Sequence, residues 1–463
     1  MKRRDFLRTS AALSIAPSLL SATSTATLSA KNKRVALLGC GWYGKNDLLR
    51  LLQVADVKVV GLCDVDDQML TETLALLKER QPTAKPPAVY RDYQKLLTKE
   101  RPDLVLIASP DHQHALMAIA AMQAGADLYL QKPVSLDVLE GEAVLATARQ
   151  LGRTVQIGTQ RRSTPHLLEM KKQVLDSGLI GKIGHVEMCC YYHMRFGGNP
   201  SVKEVPDHFD YEAWTGPAPL IPYTGLPHRR WRARQEYGNG IVGDMCVHMF
   251  DTARWLLGLG WPERIHSVGG IRYGEGETWA NITDTQLATF SYPGLDCVWQ
   301  HRTWGPSVDP DYPWALFLYG ENGTLKMDTK KWSYTPNKGR GADKVAVLNG
   351  ELKNQPLAGE ALYERKKFPE DLEEKDIELH VASATRAHLL DLVEAIDENR
   401  RPVADVEEGH ISTASCILAN ISRDLGGRVL SYDSEQHLVI GDEEATKLLK
   451  RDYRDGYQHP YIG

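Results

Sequence analysis

The sequence predicts an α/β protein in two parts. The first is a parallel sheet wrapped by helices; the second is an α+β half with an open, mostly antiparallel sheet. Three observations carry this. Short, wholly apolar runs alternate with helical periodicity between Arg34 and Thr159, the pattern of strands buried on both faces. A glycine-rich loop joins the first run to the first helix. From about residue 183 apolar runs and tight turns dominate instead, which reads as antiparallel sheet. At 463 residues, 42% hydrophobic and 25% charged, the chain has the length for two domains and the composition of a folded globular protein.

The first 30 residues stand apart. Lys2, Arg3, Arg4 and Arg8 against Asp5 give them a net charge of +3, leaving −8 for the rest of a −5 total. A short apolar stretch, Ala11 to Leu20, and small residues at Ser24–Ala26 and Leu28–Ala30 follow, the layout of an export signal. Arg3-Arg4-Asp5-Phe6-Leu7 resembles a twin-arginine (Tat) signal, which a receptor reads. The expectation is a bacterial, periplasmic protein that meets the twin-arginine machinery, with residues 1–30 as signal, 31–158 as the first domain and 159–463 as the second. The mildly acidic body argues against nucleic acid as a partner.

In the first domain, Arg34–Leu38 reads as a buried strand and runs into Gly39-Cys40-Gly41-Trp42-Tyr43-Gly44. A helix follows, then the strand Val57–Cys63, which ends at Asp64, 20 residues after Gly44. This is the dinucleotide-binding (Rossmann) fingerprint in its required context. Gly39 permits the tight turn, Gly41 lets backbone approach a pyrophosphate, and Gly44 lets helix pack on strand. The helix N-terminus offers free N–H groups, and Asp64 can accept from a ribose diol. Asp64, Asp66 and Asp67 have no basic residue beside them in sequence, so NAD is expected rather than NADP. Asp66 caps a helix to about Arg80. Strands at Leu104–Ala108, Asp127–Leu130 and Thr154–Thr159 alternate with helices, one of them Leu136–Leu151. The strand tips bring Ser109–His114, Gln131–Pro133 and Gly158–Arg162 to the cofactor edge.

Beyond this, strands are expected at Ile183–Tyr192, Ile265–Ile271, Thr285–Tyr292, Cys297–Arg302 and Trp314–Tyr319, with helices at His380–Asn399 and Gly409–Leu425. Residues 336–378 read as an insertion or loop, and the tail from Ser431 is unassigned. Seven cysteines, an odd number without C-x-x-C, suit buried thiols rather than a disulfide framework. His112 and His114 lack a recognised zinc spacing, and no metal is expected.

Gly39–Gly44, Ser109-Pro110-Asp111-x-x-His114, Lys132-Pro133 and Gly243-Asp244-x-x-x-His248-x-x-Asp251 together resemble the glucose–fructose oxidoreductase / inositol dehydrogenase (Gfo/Idh/MocA) family. The resemblance implies a Rossmann domain followed by an open-sheet domain, and hydride transfer between a sugar or polyol and a nicotinamide cofactor. It also implies Lys132, Asp244 and His248 as the catalytic set, His248 acting as base. The chemistry asks for the same groups: a cation to steady the reacting oxygen and a base near neutral pH. Asp244 and His248, four apart, share a helix face, so Asp244 can orient the imidazole or meet a substrate hydroxyl. His114, Trp42, Tyr43, Ser109, Pro110, Gln131 and Lys132 join the glycines and Asp64 as cofactor-side residues. One departure is Gln131, where the family usually has Glu. Gln160, Arg162, Tyr191, His193, Trp231 and Arg232 are candidates for the substrate side; Trp231 and Arg232 equally suit a subunit interface. A homo-oligomer, dimer or tetramer, is expected.

The leading reading is an exported NAD-dependent dehydrogenase of a carbohydrate or glycoside. Free NAD is not expected outside the cytoplasm, so the cofactor is expected to stay tightly bound. A redox-assisted glycosidase, oxidising its sugar transiently before elimination and re-reduction, is the alternative. A non-catalytic NAD-containing binding protein is the third.

Overall fold

The computed structural model describes residues 33–191, 198–225, 230–273, 279–337, 355–361, 363–364, 366–372 and 379–462. The expected export signal, residues 1–30, therefore lies outside the described residues, as do His193 and most of the 336–378 segment.

The first domain alternates strictly: β1 Lys33–Leu38, α1 Trp42–Val54, β2 Val57–Cys63, α2 Asp67–Arg80, β3 Ala88–Tyr90, α3 Tyr93–Glu100, β4 Leu104–Ile107, α4 His114–Gln123, β5 Asp127–Leu130, α5 Val138–Leu151 and β6 Val155–Ile157. The six strands form a parallel sheet in the order β3-β2-β1-β4-β5-β6. Helix starts are written in the sequence. The Asp66 carboxylate accepts from Gln68 N–H at the start of α2, and Asp137 with Glu140 forms a capping box on α5. Successive residues of β1 serve opposite faces. Val35 and Leu37 pack with α1 and β2, Ala36 and Leu38 with α4 and α5. The strand order reverses between β1 and β4, and the crevice for a ligand opens at such a switch point.

The second half contains α6 Pro165–Met170, β7 Ile183–Cys190, α7 Tyr211–Thr215, α8 Val247–Leu257, β8 Arg264–Gly270, β9 Thr285–Tyr292, β10 Leu295–Arg302, β11 Trp314–Gly320, β12 Gly323–Met327, β13 Lys331–Pro336, β14 Leu357–Glu360, α9 Leu379–Glu398 and α10 Val406–Asp424. Eight strands form one sheet, β14-β13-β12-β11-β7-β10-β9-β8. Only β7 and β10 pair in parallel. Its inner face carries Val186, Met188, Cys190, Leu316 and Leu318 against Val247 and Phe250 of α8 and Ile417 of α10. The seven cysteines are all buried and none is in a disulfide.

Three expectations change. First, α9 does not belong to the second core: Leu389, Leu392 and Val393 pack with Val35 and Leu37 against α1. The apolar stripe of this distant helix covers a Rossmann face that the local helices leave open, so the chain crosses back over the boundary drawn at residue 158. Second, the 336–378 segment is not simply a loop. Leu357–Glu360 forms the edge strand β14, paired to β13. Further on, Asp371 reaches Arg50 of α1 (2.5 Å) and Arg386 of α9 (2.8 Å). Third, the tail is ordered: β15 Tyr432–Asp433, β16 Leu438–Val439 and α11 Glu443–Lys447 lead back to α5. There, Arg451 N–H donates to Asp137 (2.9 Å) and His459 Nε2 lies 3.0 Å from the same carboxylate.

Candidate active site

A cavity of about 490 Å³ opens at the switch point. One wall is the glycine loop, Gly39, Gly41, Trp42 and Tyr43; another is Asp64 and Val65 at the tip of β2; a third is Ala108, Ser109 and Pro110 after β4. The three glycines do different work. Gly39 has φ +91°, and a Cβ there would stand 2.7 Å from the Ala108 and Ser109 backbone. A Cβ on Gly44 would stand 2.0 Å from the Gly39 carbonyl oxygen. A Cβ on Gly41 would meet no protein atom within 4 Å. The first and third glycines thus close the chain on itself, and the second faces open space. No side chain caps α1, leaving its first N–H groups for an anion. These features fit the pyrophosphate of a dinucleotide. The Asp64 carboxylate accepts from the Cys40 (2.7 Å) and Asp66 (3.0 Å) N–H groups, which fixes it at the cavity wall.

Gly41→Ala separates ligand space from protein space. With φ −69° at this position and no protein neighbour to strike, folding stability should stay within about 0.5 kcal/mol of wild type. Nucleotide content, measured after denaturing the purified protein, should fall sharply.

The remaining walls come from far along the chain. Arg91, Asp92, Tyr93 and Lys95 enter from the turn after β3 and the start of α3; Asp210, Ala213 and Trp214 from around α7; Trp231 and Arg232 precede α8; Tyr457 comes from the tail. Sequence reading missed most of these. It also found no basic residue near Asp64, but Arg91 and Lys95 share its cavity. Arg91 is engaged, its Nε donating to Asp67 at 2.8 Å. The segment before α7 is strapped to the first domain: Asp67 N–H donates to the His208 carbonyl (3.0 Å) and Asp210 N–H to that of Val65 (2.9 Å).

Gly44, His114 and Gln131 stand one layer behind the wall. His114 is buried, its ring nitrogens against the Pro133 (2.6 Å) and Ser109 (2.9 Å) carbonyls. Burial, chiefly, lowers its pKa to about 4. His112 Nε2 meets the Trp214 carbonyl at 2.8 Å. Gln131 donates to Asp47 of α1 (2.8 Å), and Gly158 leaves room for its amide. The carboxyl absent at position 131 is thus supplied by Asp47, which burial pushes up to about 8.

Arg232 of the cavity wall belongs to a cluster of charge. Lys132 Nζ, at the tip of β5, donates to Asp244 Oδ1 (2.5 Å) and to the Asp244 carbonyl (3.0 Å). Arg232 Nε shares the same carboxylate oxygen at 3.3 Å, and its guanidinium stacks on Trp231. Burial alone would raise the Asp244 carboxyl, but Lys132 and Arg232 hold it below its usual value. Asp244 sits in a π-helical turn, Val242–Cys246, that feeds α8. It does not orient His248, as the shared helix face suggested, because two cations claim it. His248 instead meets the edge of Trp314 (5.7 Å between rings), over which Arg161 is stacked at 4.3 Å. Its Nδ1 is buried without a hydrogen-bond partner among the described residues. Burial, Arg161 and Lys132 all push the His248 pKa well below 6.5. Its imidazole signals should therefore not titrate by NMR between about pH 8 and about pH 5.5, where an ordinary histidine passes through its midpoint.

Gln160 donates to the Tyr43 hydroxyl (2.9 Å), beside the cavity. Two substrate-side assignments are corrected. Arg162 points away from the site: it is buried in a bidentate pair with Asp251 (2.8 and 2.9 Å) and also reaches Glu408 (3.0 Å). Its neighbour Arg161 faces His248, because consecutive residues of a tight turn diverge. Tyr191 follows β7 on the outer face of the sheet, beside Cys189, Ala315 and Phe317. The two-residue period of the strand sets it opposite the face that bears His248. His193 and the basic residues 228–229 lie outside the described residues.

Comparison with known proteins agrees with this geometry. Residues 33–159 match the model of an oxidoreductase family with an NAD-binding Rossmann fold, and residues 169–326 match a GFO/IDH/MocA C-terminal domain. A glycosyl hydrolase family 109 protein of Stenotrophomonas maltophilia is 33% identical over 239 residues, 50% of either chain. D-apiose dehydrogenase of Paraburkholderia graminis is 28% identical over 244 residues, 52% of this chain and 54% of that one. The chain thus spans about half the length of the curated relatives it matches. Among solved structures, levoglucosan dehydrogenase in complex with NADH and levoglucosan superposes with a TM-score of 0.62 at 16% identity, over 87% of this chain and 99% of that one. An oxidoreductase domain protein from Kribbella flavida gives 0.63 at 18%, over 87% and 99%. With one family model on the Rossmann half and another on the open-sheet half, the protein belongs to the Gfo/Idh/MocA oxidoreductase family and carries that family's NAD-binding domain.

Proposed function

We propose that this protein is an exported NAD-dependent oxidoreductase that moves a hydride between a hydroxyl-bearing carbon of a carbohydrate or glycoside and a tightly held nicotinamide. The observation that carries the reading is Lys132, aimed from a Rossmann strand tip into the cluster with Asp244 and Arg232 and close enough to His248 to lower its pKa. When bound, NAD supplies the hydride acceptor. Lys132 donates to the reacting oxygen and steadies its developing charge. Asp244 anchors Lys132, and His248, kept unprotonated, receives the hydroxyl proton. The strap at 208–210 and Tyr457 support a slow cofactor off-rate, and Arg3-Arg4 supports export by the twin-arginine route. The outer face of the second sheet, with Tyr191, Phe317 and Tyr319, suits contact with a second copy.

The glycosyl hydrolase relative favours a second reading, in which the same groups oxidise a glycoside, the substituent is eliminated, and the sugar is reduced again. The test is single-turnover absorbance of reduced nicotinamide, using protein as purified, no added cofactor, and sugars and glycosides as substrates. A lasting rise with one class supports the dehydrogenase. A transient rise with glycoside cleavage supports the second reading. No rise and no cleavage with nucleotide-loaded protein would overturn both.

A further inference from the structure

The tail forms a loop with both feet on one carboxylate. Arg451 N–H donates to Asp137 Oδ2 (2.9 Å), and further on His459 Nε2 lies 3.0 Å from the same oxygen. Asp137 is buried, and its other oxygen caps α5 by accepting from Glu140 N–H (2.7 Å). The feet are therefore fixed to the first domain. Between them the loop is pinned again. The Tyr453 hydroxyl donates to Glu140. Arg454 N–H donates to the Pro217 carbonyl (2.8 Å), and its Nε to the Gly216 carbonyl (3.2 Å), just after α7. Tyr457 N–H donates to the Arg454 carbonyl (3.1 Å), closing a turn that carries the Tyr457 ring to the cavity wall. The Arg454 guanidinium stands 5.5 Å from the centre of that ring, which still keeps 38% exposure.

The order of the parallel sheet says which part of a dinucleotide this ring meets. The glycine loop follows β1, Asp64 ends β2, and Tyr93 follows β3 at the sheet edge. A dinucleotide lies across such strand tips with its pyrophosphate at the glycine loop. Lys132, at the tip of β5, marks the nicotinamide side. The adenosine half therefore runs the other way, over Asp64 toward β3, where Tyr93 and Tyr457 line the cavity together with Met117 of α4. The two tyrosines are near each other: burial, chiefly, raises the Tyr93 phenol, and Tyr457 adds to the rise. Among the described residues neither ring stacks on another. Two phenol rings and a thioether around open space suit a flat aromatic base with apolar faces. We propose that the loop 451–459 is an adenine clasp: the adenine of bound NAD sits against Tyr457 and Tyr93, and the anchorage of the loop on Asp137 keeps it there. A residue far beyond the Rossmann domain thereby sets how fast the nucleotide leaves.

This inference rests on the reading that NAD stays bound, and its test needs no turnover. Protein loaded with NAD is mixed with an excess of radiolabelled NAD, and the release rate is read from the exchange. Tyr457→Ala should release NAD about tenfold faster than wild type. Tyr457→Phe, which keeps the ring, should stay within about twofold of wild type. Equal denaturant midpoints at saturating NAD show that both variants have folded. A folded Tyr457→Ala that loses its NAD during purification, while Tyr457→Phe keeps it, is the fast limit of the same result. Wild type carrying a 2-azidoadenine analogue of NAD is then illuminated and digested, and the label should fall on the peptides bearing Tyr457 and Tyr93. Unchanged exchange in Tyr457→Ala, equal acceleration in Tyr457→Phe, or label on neither peptide overturns the clasp. A protein that exchanges and labels as expected, yet reduces no nicotinamide with any carbohydrate, keeps the clasp and fails the oxidoreductase reading instead.

Discussion

Replacing Lys132 with Met should lower the rate of hydride transfer by about 10³-fold while leaving bound nucleotide in place. The side chain is not part of the cavity wall, so cofactor retention should not depend on it. Its loss also frees Asp244 from its closest partner; Arg232, at 3.3 Å, remains. The measurement pairs single-turnover absorbance with nucleotide content of the same preparation. An unchanged rate would mean that Lys132 takes no part in the transfer.

The second large effect concerns stability. Arg162→Leu should destabilise the fold by about 3–5 kcal/mol, because it strands the wholly buried Asp251 without its bidentate partner. Asp251 keeps Ser412 (2.9 Å), and Arg254 turns to Glu408 (3.1 Å), so the charge loses its main compensation. The sign with pH follows from the carboxyl. Burial would raise it, but Arg162 holds it below 3.8. The wild-type advantage is therefore present above about pH 4 and is lost as pH falls through the lower folded value. Denaturant unfolding of Arg162→Leu and of Arg162→Leu/Asp251→Leu checks this. Removing both charges should recover much of the loss; no recovery would locate the cost in packing instead.

The parallel half was legible because its information is local. Apolar runs, the glycine loop and the caps Asp66 and Asp137 each act within a few residues. Lys132, Asp244 and Arg232 were readable as types at strand and helix starts, and the structure brings them together. What escaped was long-range or a matter of parity. Nothing near Asp64 announces Arg91, Trp214 or Tyr457, which arrive through other elements. Arg161 and Arg162 differ by one position and face opposite tasks. Tyr191 is one step along a strand from the inner-facing Cys190. The apolar stripe of α9 was visible, but not which sheet it would cover.

The cavity wall begins at Leu38 and is completed by Tyr457. A ribosome must therefore pass Tyr457 before the pocket can close. Until Tyr453 and His459 engage the start of α5, the nucleotide meets a pocket with one side missing. Coenzyme retention is thus a late event in biogenesis, and a loaded molecule is one in which the glycine loop and the tail have already met.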